Sequence, residues 1–257
     1  MAERLLEGKA GLVTGGSSGI GRATALAMAR EGARVAVADV AVEGGEETVR
    51  MMTQAGGDAV FIRTDVSRDS DVAALVRSTV DRFGRLDVAV NNAGIEGTLA
   101  PLAEYPEEMF DRVVAVNLKG VWLCMKHEIP ELLEQGGGAI VNMASILGLV
   151  AFPNAAAYTA AKHGVVGLTR VAAVEYAARG IRVNAVCPGF IETPMVMERG
   201  VAAGRQRETY EKIAGLHPIG RLGKPEEIAG MVVALLSDRA SFVTGAVLPV
   251  DGALTAQ

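Results

Sequence analysis

The sequence is poor in the residue types that build several kinds of functional site. Only 4% of its 257 residues are aromatic, and it contains two cysteines and three histidines. The cysteines, Cys124 and Cys187, are too few for a disulfide framework and are typical of buried thiols in a reducing, cytoplasmic compartment. The histidines (His127, His163 and His217) lie far apart without zinc-ligand spacing, so no metal is predicted.

An excess of positive charge and long apolar runs are also missing. The 25 Lys and Arg residues face 30 Asp and Glu residues, for a net charge of −5, which leaves no basic footprint for nucleic acid. No stretch reaches the roughly 18 consecutive apolar residues of a membrane-spanning helix. The N-terminal segment MAERLLEGKA is too short and too charged for a signal peptide. We therefore expect a cytoplasmic protein with neither a nucleic-acid nor a membrane partner.

Short apolar runs instead alternate with helical patterns. Strands are predicted at Ala10–Val13, Arg34–Ala38, Ala59–Arg63, Val88–Asn91, Gly138–Met143, Arg182–Cys187 and Ala246–Val250. Helices are predicted near 19–31, 43–55, 69–83, 107–134, 154–178 and 225–237. Asn154 is a candidate cap of its helix, and Pro130 is expected to kink or end the helix that contains it. Single-helix connections predict an α/β fold in one domain over residues 1–257: a Rossmann-like, doubly wound parallel sheet of about seven strands with helices on both faces.

A glycine-rich turn follows the first predicted strand and opens the first helix. Thr14 to Gly21 has the spacing Gly-x3-Gly-x-Gly, which lets the backbone approach a pyrophosphate at a helix N-terminus. Asp39 lies eighteen residues beyond Gly21, at the end of the second strand. A carboxylate there suits hydrogen bonds to a ribose 2′-hydroxyl and repels a 2′-phosphate, which predicts NAD rather than NADP. The turn ends in Gly21-Arg22 rather than Gly-Lys-Ser/Thr, which excludes a phosphate-binding NTPase loop.

Tyr158 and Lys162 stand four residues apart on a predicted helix and so share one of its faces. An ammonium next to a phenol is expected to lower the pKa of the tyrosine, which favours general acid/base chemistry on an alcohol or a carbonyl. Ser145 lies thirteen residues before Tyr158, after the fifth strand, where its hydroxyl can orient a substrate oxygen. No G-x-S-x-G elbow surrounds this serine, so a nucleophilic role is not predicted.

Taken in order, these motifs resemble those of the short-chain dehydrogenases/reductases over nearly the whole chain. The motifs that carry the resemblance are T-G-x-x-x-G-x-G at Thr14–Gly21, Asp65-Val66, N-N-A-G at Asn91–Gly94, Asn117, Ser145, Y-x-x-x-K at Tyr158–Lys162, Pro188-Gly189 with Ile191 and Thr193, and V-D-G at Val250–Gly252. The resemblance implies an NAD-dependent oxidoreductase that moves a hydride between the nicotinamide and a secondary alcohol or ketone.

The resemblance also implies roles for individual residues. Tyr158 becomes the general acid/base, Lys162 also binds the nicotinamide ribose, and Asn117 carries a water that connects Lys162 to solvent. Thr193, with the backbone near Ile191, is expected to bind the carboxamide. The complete set of expected cofactor contacts is Gly15, Ser17, Ser18, Gly19, Ile20, Gly21, Asp39, Asp65, Val66, Asn91, Ala93, Gly94, Tyr158, Lys162, Pro188, Gly189, Ile191 and Thr193.

The substrate is less well defined by the sequence. The expected pocket residues are Ser145, Glu96, Ile146, Leu147, Phe152, Asn154, Met195 and Met197. Most are apolar, which favours a hydrophobic or cyclic substrate, while Glu96 leaves a diol or polyol open. The irregular segment 189–223, with a short amphipathic piece near Arg205–Ala214, is expected to form a lid over the site, as the resemblance also implies. The direction of the reaction stays open.

Two other functions compete with this interpretation. A 3-oxoacyl-carrier-protein reductase has a similar sequence, but Asp39 and the lack of a basic cluster for an acidic carrier argue against it. A catalytically idle NAD-binding sensor or scaffold is opposed by the intact Asn117, Ser145, Tyr158 and Lys162. A homotetramer is expected because family members usually pair through the helices at 107–134 and 154–178. The residues that suggest such pairing are Val121, Trp122, Val165, Leu168 and Ala172.

Overall fold

A seven-stranded sheet forms the centre of the molecule in the computed structural model, which describes residues 4–199 and 208–257. The strands are β1 Ala10–Thr14, β2 Arg34–Asp39, β3 Ala59–Arg63, β4 Val88–Asn91, β5 Gly138–Met143, β6 Ile181–Pro188 and β7 Val247–Val250. They pair in parallel in the order β3-β2-β1-β4-β5-β6-β7. The fold class predicted from the alternating apolar runs is confirmed.

Helices cover both faces of this sheet. They are α1 Gly19–Arg30, α2 Val42–Gln54, α3 Asp69–Phe83, α4 Glu107–Val114, α5 Gly120–Glu134, α6 Ala156–Tyr176, α7 Glu208–Gly215 and α8 Pro225–Leu236. One core layer joins residues of α1, α2 and α8 to the sheet, and the other joins residues of α3, α5 and α6 to its opposite face. Strands β1 and β4 are buried on every residue, as expected when helices cover both faces.

The helices predicted at 107–134 and 154–178 differ in detail from the expectation. A π-helical turn, Ala115–Lys119, separates α4 from α5, and Pro130 lies inside α5, which continues to Glu134. The expected cap Asn154 is wrong, because α6 begins after Ala155. Asn154 is exposed and has a φ of +70°, a left-handed conformation that asparagine tolerates in turns.

The apolar residues expected to promote association are mostly internal. Val121, Val165 and Ala172 are at most 5% exposed and pack against the sheet, and Leu168 packs beside them. Of that group only Trp122 is an exposed large side chain, at 46%. Most of these apolar residues are therefore buried between the helices and the sheet, and are not left exposed for pairing as the sequence suggested.

The segment predicted as a lid, 189–223, is described in two pieces. Residues 200–207 lie outside the described part of the chain, so the first residues of the amphipathic piece at Arg205–Ala214 do as well. Its remainder matches α7. Within the described residues, no helix combines the length and the apolar character needed to cross a membrane.

The strand order fixes where a ligand can bind. The chain leaves β1 toward β2 on one side and returns to β4 on the other, so the connections diverge at the carboxyl ends of β1 and β4. In an open α/β sheet the crevice at such a divergence is the usual ligand site. The glycine-rich turn after β1 and the N-N-A-G segment after β4 meet at this crevice.

Arg182, on β6, closes the carboxyl end of α8. Its guanidinium donates to the carbonyl oxygens of Leu235 at 2.7 Å, Leu236 at 3.3 Å and Ser237 at 3.0 Å. The carbonyls of Leu235 and Leu236 belong to the last turn of α8, where an α-helix leaves four acceptors without an intrahelical partner. The side chain therefore joins the helix end to the sheet.

Replacing Arg182 with leucine is expected to lower the free energy of unfolding by about 2 kcal/mol, because buried carbonyls lose a charged donor. Urea denaturation at a fixed protein concentration measures the change. The control is Arg179→Leu, whose exposed guanidinium lies over the Tyr176 ring and should change stability by no more than about 0.5 kcal/mol. Equal effects of the two substitutions would contradict the role of Arg182.

Candidate active site

A cleft of about 650 Å³ opens at the carboxyl ends of the central strands. The expected cofactor contacts that line it are Gly15, Ser17, Ser18, Gly19, Ile20, Gly21, Asp39, Gly94, Tyr158, Lys162, Pro188, Gly189, Ile191 and Thr193. A second cavity of about 270 Å³ shares Gly15, Asp39 and Gly94 with it and is also lined by three further predicted residues, Asp65, Val66 and Ala93. Every predicted cofactor residue except Asn91 thus lines one of these two neighbouring cavities.

The glycine turn is held tightly against β4. Gly15 and Gly19 have φ values of +66° and +52°, and a Cβ on Gly21 would lie 2.0 Å from the carbonyl oxygen of Gly15. The Nδ2 of Asn92 donates to the carbonyls of Thr14 and Gly15 at 3.0 and 3.1 Å. Asn92 lies in the N-N-A-G motif but is not among the predicted cofactor contacts. The compact turn leaves the N-terminus of α1 open toward the cleft, which fits a dinucleotide pyrophosphate.

Asp39 is positioned by the same turn. Its Oδ2 accepts from the backbone N–H of Ser17 at 3.0 Å, and its Oδ1 accepts from that of Ala41 at 3.0 Å. The carboxylate lines both cavities, so its remaining lone pairs face the space that a ribose diol would enter. A 2′-phosphate at this place would meet a fixed negative charge.

Asp65 also stabilises the turn that precedes α3. Its Oδ1 accepts from the hydroxyl of Ser67 at 2.7 Å and from the backbone N–H of Ser67 at 3.0 Å. The hydroxyl bond lowers the pKa of Asp65. The residue shapes the turn before α3 while it lines the second cavity.

Asn91 does not face the cofactor cleft, contrary to the prediction. It is 1% exposed, and its Nδ2 donates to Glu128 on α5 and to Asn142 on β5, both at 3.0 Å. Burial raises the pKa of Glu128 to about 8, although the bond from Asn91 opposes the shift. As the last residue of β4, Asn91 points to the face of the sheet that α5 covers. Its neighbour Asn92 is the one that lines the cleft.

Tyr158, Lys162 and Ser145 come together at the floor of the cleft, as the motif spacing predicts. The Nζ of Lys162 lies 5.5 Å from the centroid of the Tyr158 ring and donates to the carbonyl oxygen of Met143 at 2.7 Å. The Ser145 hydroxyl accepts from the backbone N–H of Leu147 at 3.2 Å, and its interaction with the Tyr158 hydroxyl lowers the pKa of that phenol. The two hydroxyls therefore lie in the same part of the cleft, where one substrate oxygen can contact both.

The expected lowering of the Tyr158 pKa is wrong for this structure. Burial raises that pKa to about 12, the hydrogen bond from Ser145 lowers it in part, and the charge of Glu96 raises it further. Burial also lowers the pKa of Lys162 to about 8. The ammonium is directed at the Met143 carbonyl, so its stabilisation of the phenolate does not offset desolvation.

Asn117 lies in the π-helical turn and is fully buried. Its Oδ1 accepts from the backbone N–H of Ile95 at 2.8 Å, and its Nδ2 donates to the carbonyl of Ile95 at 2.8 Å. A Cβ on Gly94 would lie 3.3 Å from the Asn117 Oδ1 and 3.8 Å from the Lys162 Nζ. Asn117 therefore fixes the loop beside Lys162, and a water held there stays a prediction.

A smaller cavity of about 180 Å³ branches from the cleft beside Ser145 and Tyr158. It is lined by Glu96, Leu99, Ser145, Ile146, Leu147, Phe152, Pro153, Ala155, Tyr158, Gly189, Phe190, Met195 and Val196. This set contains every predicted substrate residue except Asn154, which is exposed, and Met197, which packs beside Ile213 and Leu222. Phe190 was not predicted to line the cavity. Its position directly after the Pro188-Gly189 motif could have indicated it.

The described residues contain no group of three or more His, Cys, Asp or Glu side chains placed to hold a metal ion. The site combines a long cleft, the two hydroxyls of Ser145 and Tyr158 and an apolar side cavity. Such a site can hold a dinucleotide, position an alcohol or ketone oxygen and exchange its proton.

Comparisons with known proteins agree with this geometry. Residues 15–255 match a family model described as enoyl-(acyl carrier protein) reductase. The chain is 46% identical to a cyclohexanol dehydrogenase of Acinetobacter sp. (strain SE19), over 97% of this chain and 96% of that protein. It is 48% identical to a cis-4-hydroxycyclohexanecarboxylate dehydrogenase of Sinomonas cyclohexanicum, with 100% of both chains covered.

A solved structure leads to the same family. The crystal structure of carveol dehydrogenase from Mycobacterium avium in complex with NAD superposes with a TM-score of 0.95, 31% identity and 100% coverage of both chains. The sequence-based predictions of an NAD-dependent oxidoreductase of alcohols and ketones are confirmed by these matches. The chain belongs to the short-chain dehydrogenase/reductase family.

Proposed function

We propose that this protein oxidises a secondary alcohol on a hydrophobic ring to the ketone with NAD and catalyses the reverse reduction. One observation carries the proposal. The hydroxyls of Tyr158 and Ser145 lie where the long cleft meets the apolar side cavity, so both line the two spaces. An alcohol in the side cavity can thus reach both hydroxyls and the cofactor cleft together.

Tyr158 takes the proton of the substrate hydroxyl during oxidation and returns one to the carbonyl oxygen during reduction. Ser145 donates to the same oxygen and holds it against Tyr158. The glycine turn and Asp39 would hold NAD, which would supply the acceptor for the hydride of the carbinol carbon. Positioning of this kind supplies much of a rate enhancement when the reacting atoms are held at contact distance.

Lys162 keeps a positive charge next to the phenol and below the cleft. Its Nζ is anchored to the Met143 carbonyl and is 3% exposed as a residue, so it has little freedom to leave Tyr158. We assign it stabilisation of the phenolate and contact with the ribose. Asn117 keeps the neighbouring loop in place through both bonds to Ile95.

The side cavity supports a ring substrate. Its wall is mostly apolar, with Phe152, Phe190 and Met195 among its members, which suits an apolar body with one polar group. Two relatives of similar length are named for dehydrogenation of cyclohexane alcohols. Glu96 also lines this cavity, so a ring with a second hydroxyl is compatible with it.

We also propose a cytoplasmic homotetramer with a lid at 189–223. Cys124 and Cys187 are both free and buried, which suits a reducing compartment. Exposed large apolar side chains on α4, α5 and α6 support pairing through these helices. They are Phe110, Trp122, Val171 and Val174. Light scattering of the purified protein measures the mass.

A rate screen tests the function. NAD reduction is followed with cyclohexanol, a cyclohexanediol and 2-hexanol, and NADPH oxidation is followed with a 3-oxoacyl thioester. The proposal expects the fastest turnover with a ring alcohol and NAD. Faster turnover of the thioester with NADPH would favour an acyl-carrier-protein reductase, and no turnover of any substrate would favour an idle NAD-binding protein.

Tyr158→Phe should lower kcat by about 10² to 10⁴, because the positioned acid/base is lost while the ring remains. NAD affinity, measured by titration calorimetry, should change by no more than about twofold, since Asp39 and the glycine turn are untouched. Tyr176→Phe, on the same helix, is the control. A Tyr158→Phe variant that keeps more than about a tenth of the wild-type kcat would refute the assignment.

The pKa values predict different pH profiles for the two directions: alcohol oxidation should depend on pH, and ketone reduction should not. The raised pKa of Tyr158, about 12, keeps the phenol protonated at neutral pH, so oxidation must wait for its minor deprotonated form. Its kcat/KM should rise by up to about tenfold per pH unit from about pH 6 to about pH 8. The slope should lessen as Lys162, with its pKa near 8, loses its charge.

Ketone reduction uses the protonated phenol and should stay flat over the same range. Initial rates in both directions, in buffers of constant ionic strength, provide the comparison. Oxidation that is flat between these limits would contradict the Tyr158 mechanism.

The charge of Asp39 should set the cofactor preference. NAD is expected to exceed NADP by at least about tenfold in kcat/KM, because a 2′-phosphate would meet the carboxylate. Asp39→Asn keeps an acceptor for the Ser17 N–H and removes the charge. It should therefore lower the ratio of kcat/KM with NAD to kcat/KM with NADP. Asp58→Asn, whose carboxylate pairs with Arg82 at the surface, should leave it unchanged. Equal use of both cofactors by the wild type would overturn the assignment.

A further inference from the structure

Two aromatic rings form one side of the substrate cavity. Phe152, from the loop before α6, and Phe190, after β6, stack with centroids 6.0 Å apart and planes at 17°. Both residues line the cavity beside Ser145 and Tyr158. They come from separate loops, so something must hold the two rings parallel.

His217 supports this pair from behind. Its ring meets the Phe190 ring edge-on, with centroids 5.8 Å apart and planes at 82°. Its Nε2 accepts from the backbone N–H of Phe190 at 3.1 Å. Since a backbone N–H can only donate, Nε2 carries no proton, and Nδ1 donates to the carbonyl of Ile213 at 3.0 Å. The imidazole is 3% exposed, so these bonds are shielded from water.

The Pro188-Gly189 motif makes room for this support. A Cβ on Gly189 would lie 2.8 Å from the His217 Nε2 and 3.0 Å from the Cα of Asp251. A larger residue at 189 would therefore push the imidazole away from Phe190. Through Ile213 on α7, the same ring ties the described part of the lid segment to the aromatic pair.

His217 itself does not line the substrate cavity. It borders a separate cavity of about 180 Å³ on the other side of Phe190, together with Ile219, Ile228 and Asp251. Any influence on the substrate must therefore pass through Phe190. This makes His217 a positioning residue and not a catalytic one.

We propose that His217 fixes the Phe190–Phe152 ring pair as a rigid wall of the substrate cavity and so determines the preference for cyclic over open-chain alcohols. The inference rests on the proposed function. A rigid wall favours a rigid ring, which fills the space without losing rotational freedom. An open chain gains less from such a wall and loses less when the wall becomes mobile.

Kinetics with cyclohexanol and 2-hexanol, at saturating NAD, test the inference. His217→Leu removes the acceptor and should raise the KM for cyclohexanol by about fivefold or more, with kcat within about twofold. The ratio of kcat/KM for the ring to that for the chain should fall by a similar factor. His217→Gln restores an acceptor near the Phe190 N–H and should return the ratio to within about twofold of wild type. His127→Leu, at a half-buried histidine on α5 that contacts Asp69, is the matched control.

Coupling to Phe190 separates this role from general destabilisation. Phe190→Leu should lower the ratio as His217→Leu does, and the double variant should lower it no further, because both act through one wall. An unchanged ratio in His217→Leu, or additive effects in the double variant, would overturn the proposal. If His217→Leu does not fold, an unchanged ratio in Phe190→Leu overturns it equally.

Crystal structures of the two His217 variants provide a readout independent of turnover. The Phe190 ring should leave the stacked position in His217→Leu and keep it in His217→Gln. A stacked ring in both would reject the inference even in an active enzyme. A wild type inactive on all alcohols would reject the proposed function, while the ring positions would still decide whether His217 holds the wall.

Discussion

The site depends on one buried ammonium. The Nζ of Lys162 donates to the carbonyl of Met143 at the end of β5, which fixes α6 against the strand end that precedes Ser145. Burying a charge costs free energy unless partners surround it, and here the strand carbonyl and the Tyr158 ring lie beside it. Moving this contact would displace Tyr158 and Ser145 together, since all three rest on the same junction of helix and sheet.

The cofactor cleft follows from the sheet order with little further specification. Parallel strands bring their carboxyl ends to one edge, and the divergence between β1 and β4 opens a crevice there. Thr14 ends β1, and its hydroxyl accepts from the backbone N–H groups of Asn92 and Ala93. Asp39 ends β2 and holds Ser17 in the glycine turn. The cleft therefore depends on short polar residues at strand ends. These can be recognised in the sequence because each one follows an apolar run.

Sequence patterns located the seven strands nearly to the residue, because buried parallel strands are continuous apolar runs between glycine-rich turns. They failed where side-chain direction matters. Asn91 and Asn92 are neighbours in the same motif, yet only Asn92 lines the cleft. The direction of the Tyr158 pKa also required the structure, since burial is a property of the folded chain and here outweighs the neighbouring ammonium. Phe190 and His217 are 27 residues apart, so no local period connects them.

The catalytic residues and the substrate cavity lie on different kinds of structural element. This difference affects how the substrate can change among such enzymes. Ser145, Tyr158 and Lys162 stand on a strand end and a long helix, where backbone bonds and the core fix each position. The substrate cavity is formed by the loops around Glu96, Phe152 and Phe190. Loops accept substitution and insertion far more readily than core elements. A change of substrate therefore requires new loops around an unchanged centre, provided that a buried residue such as His217 keeps the new wall in place.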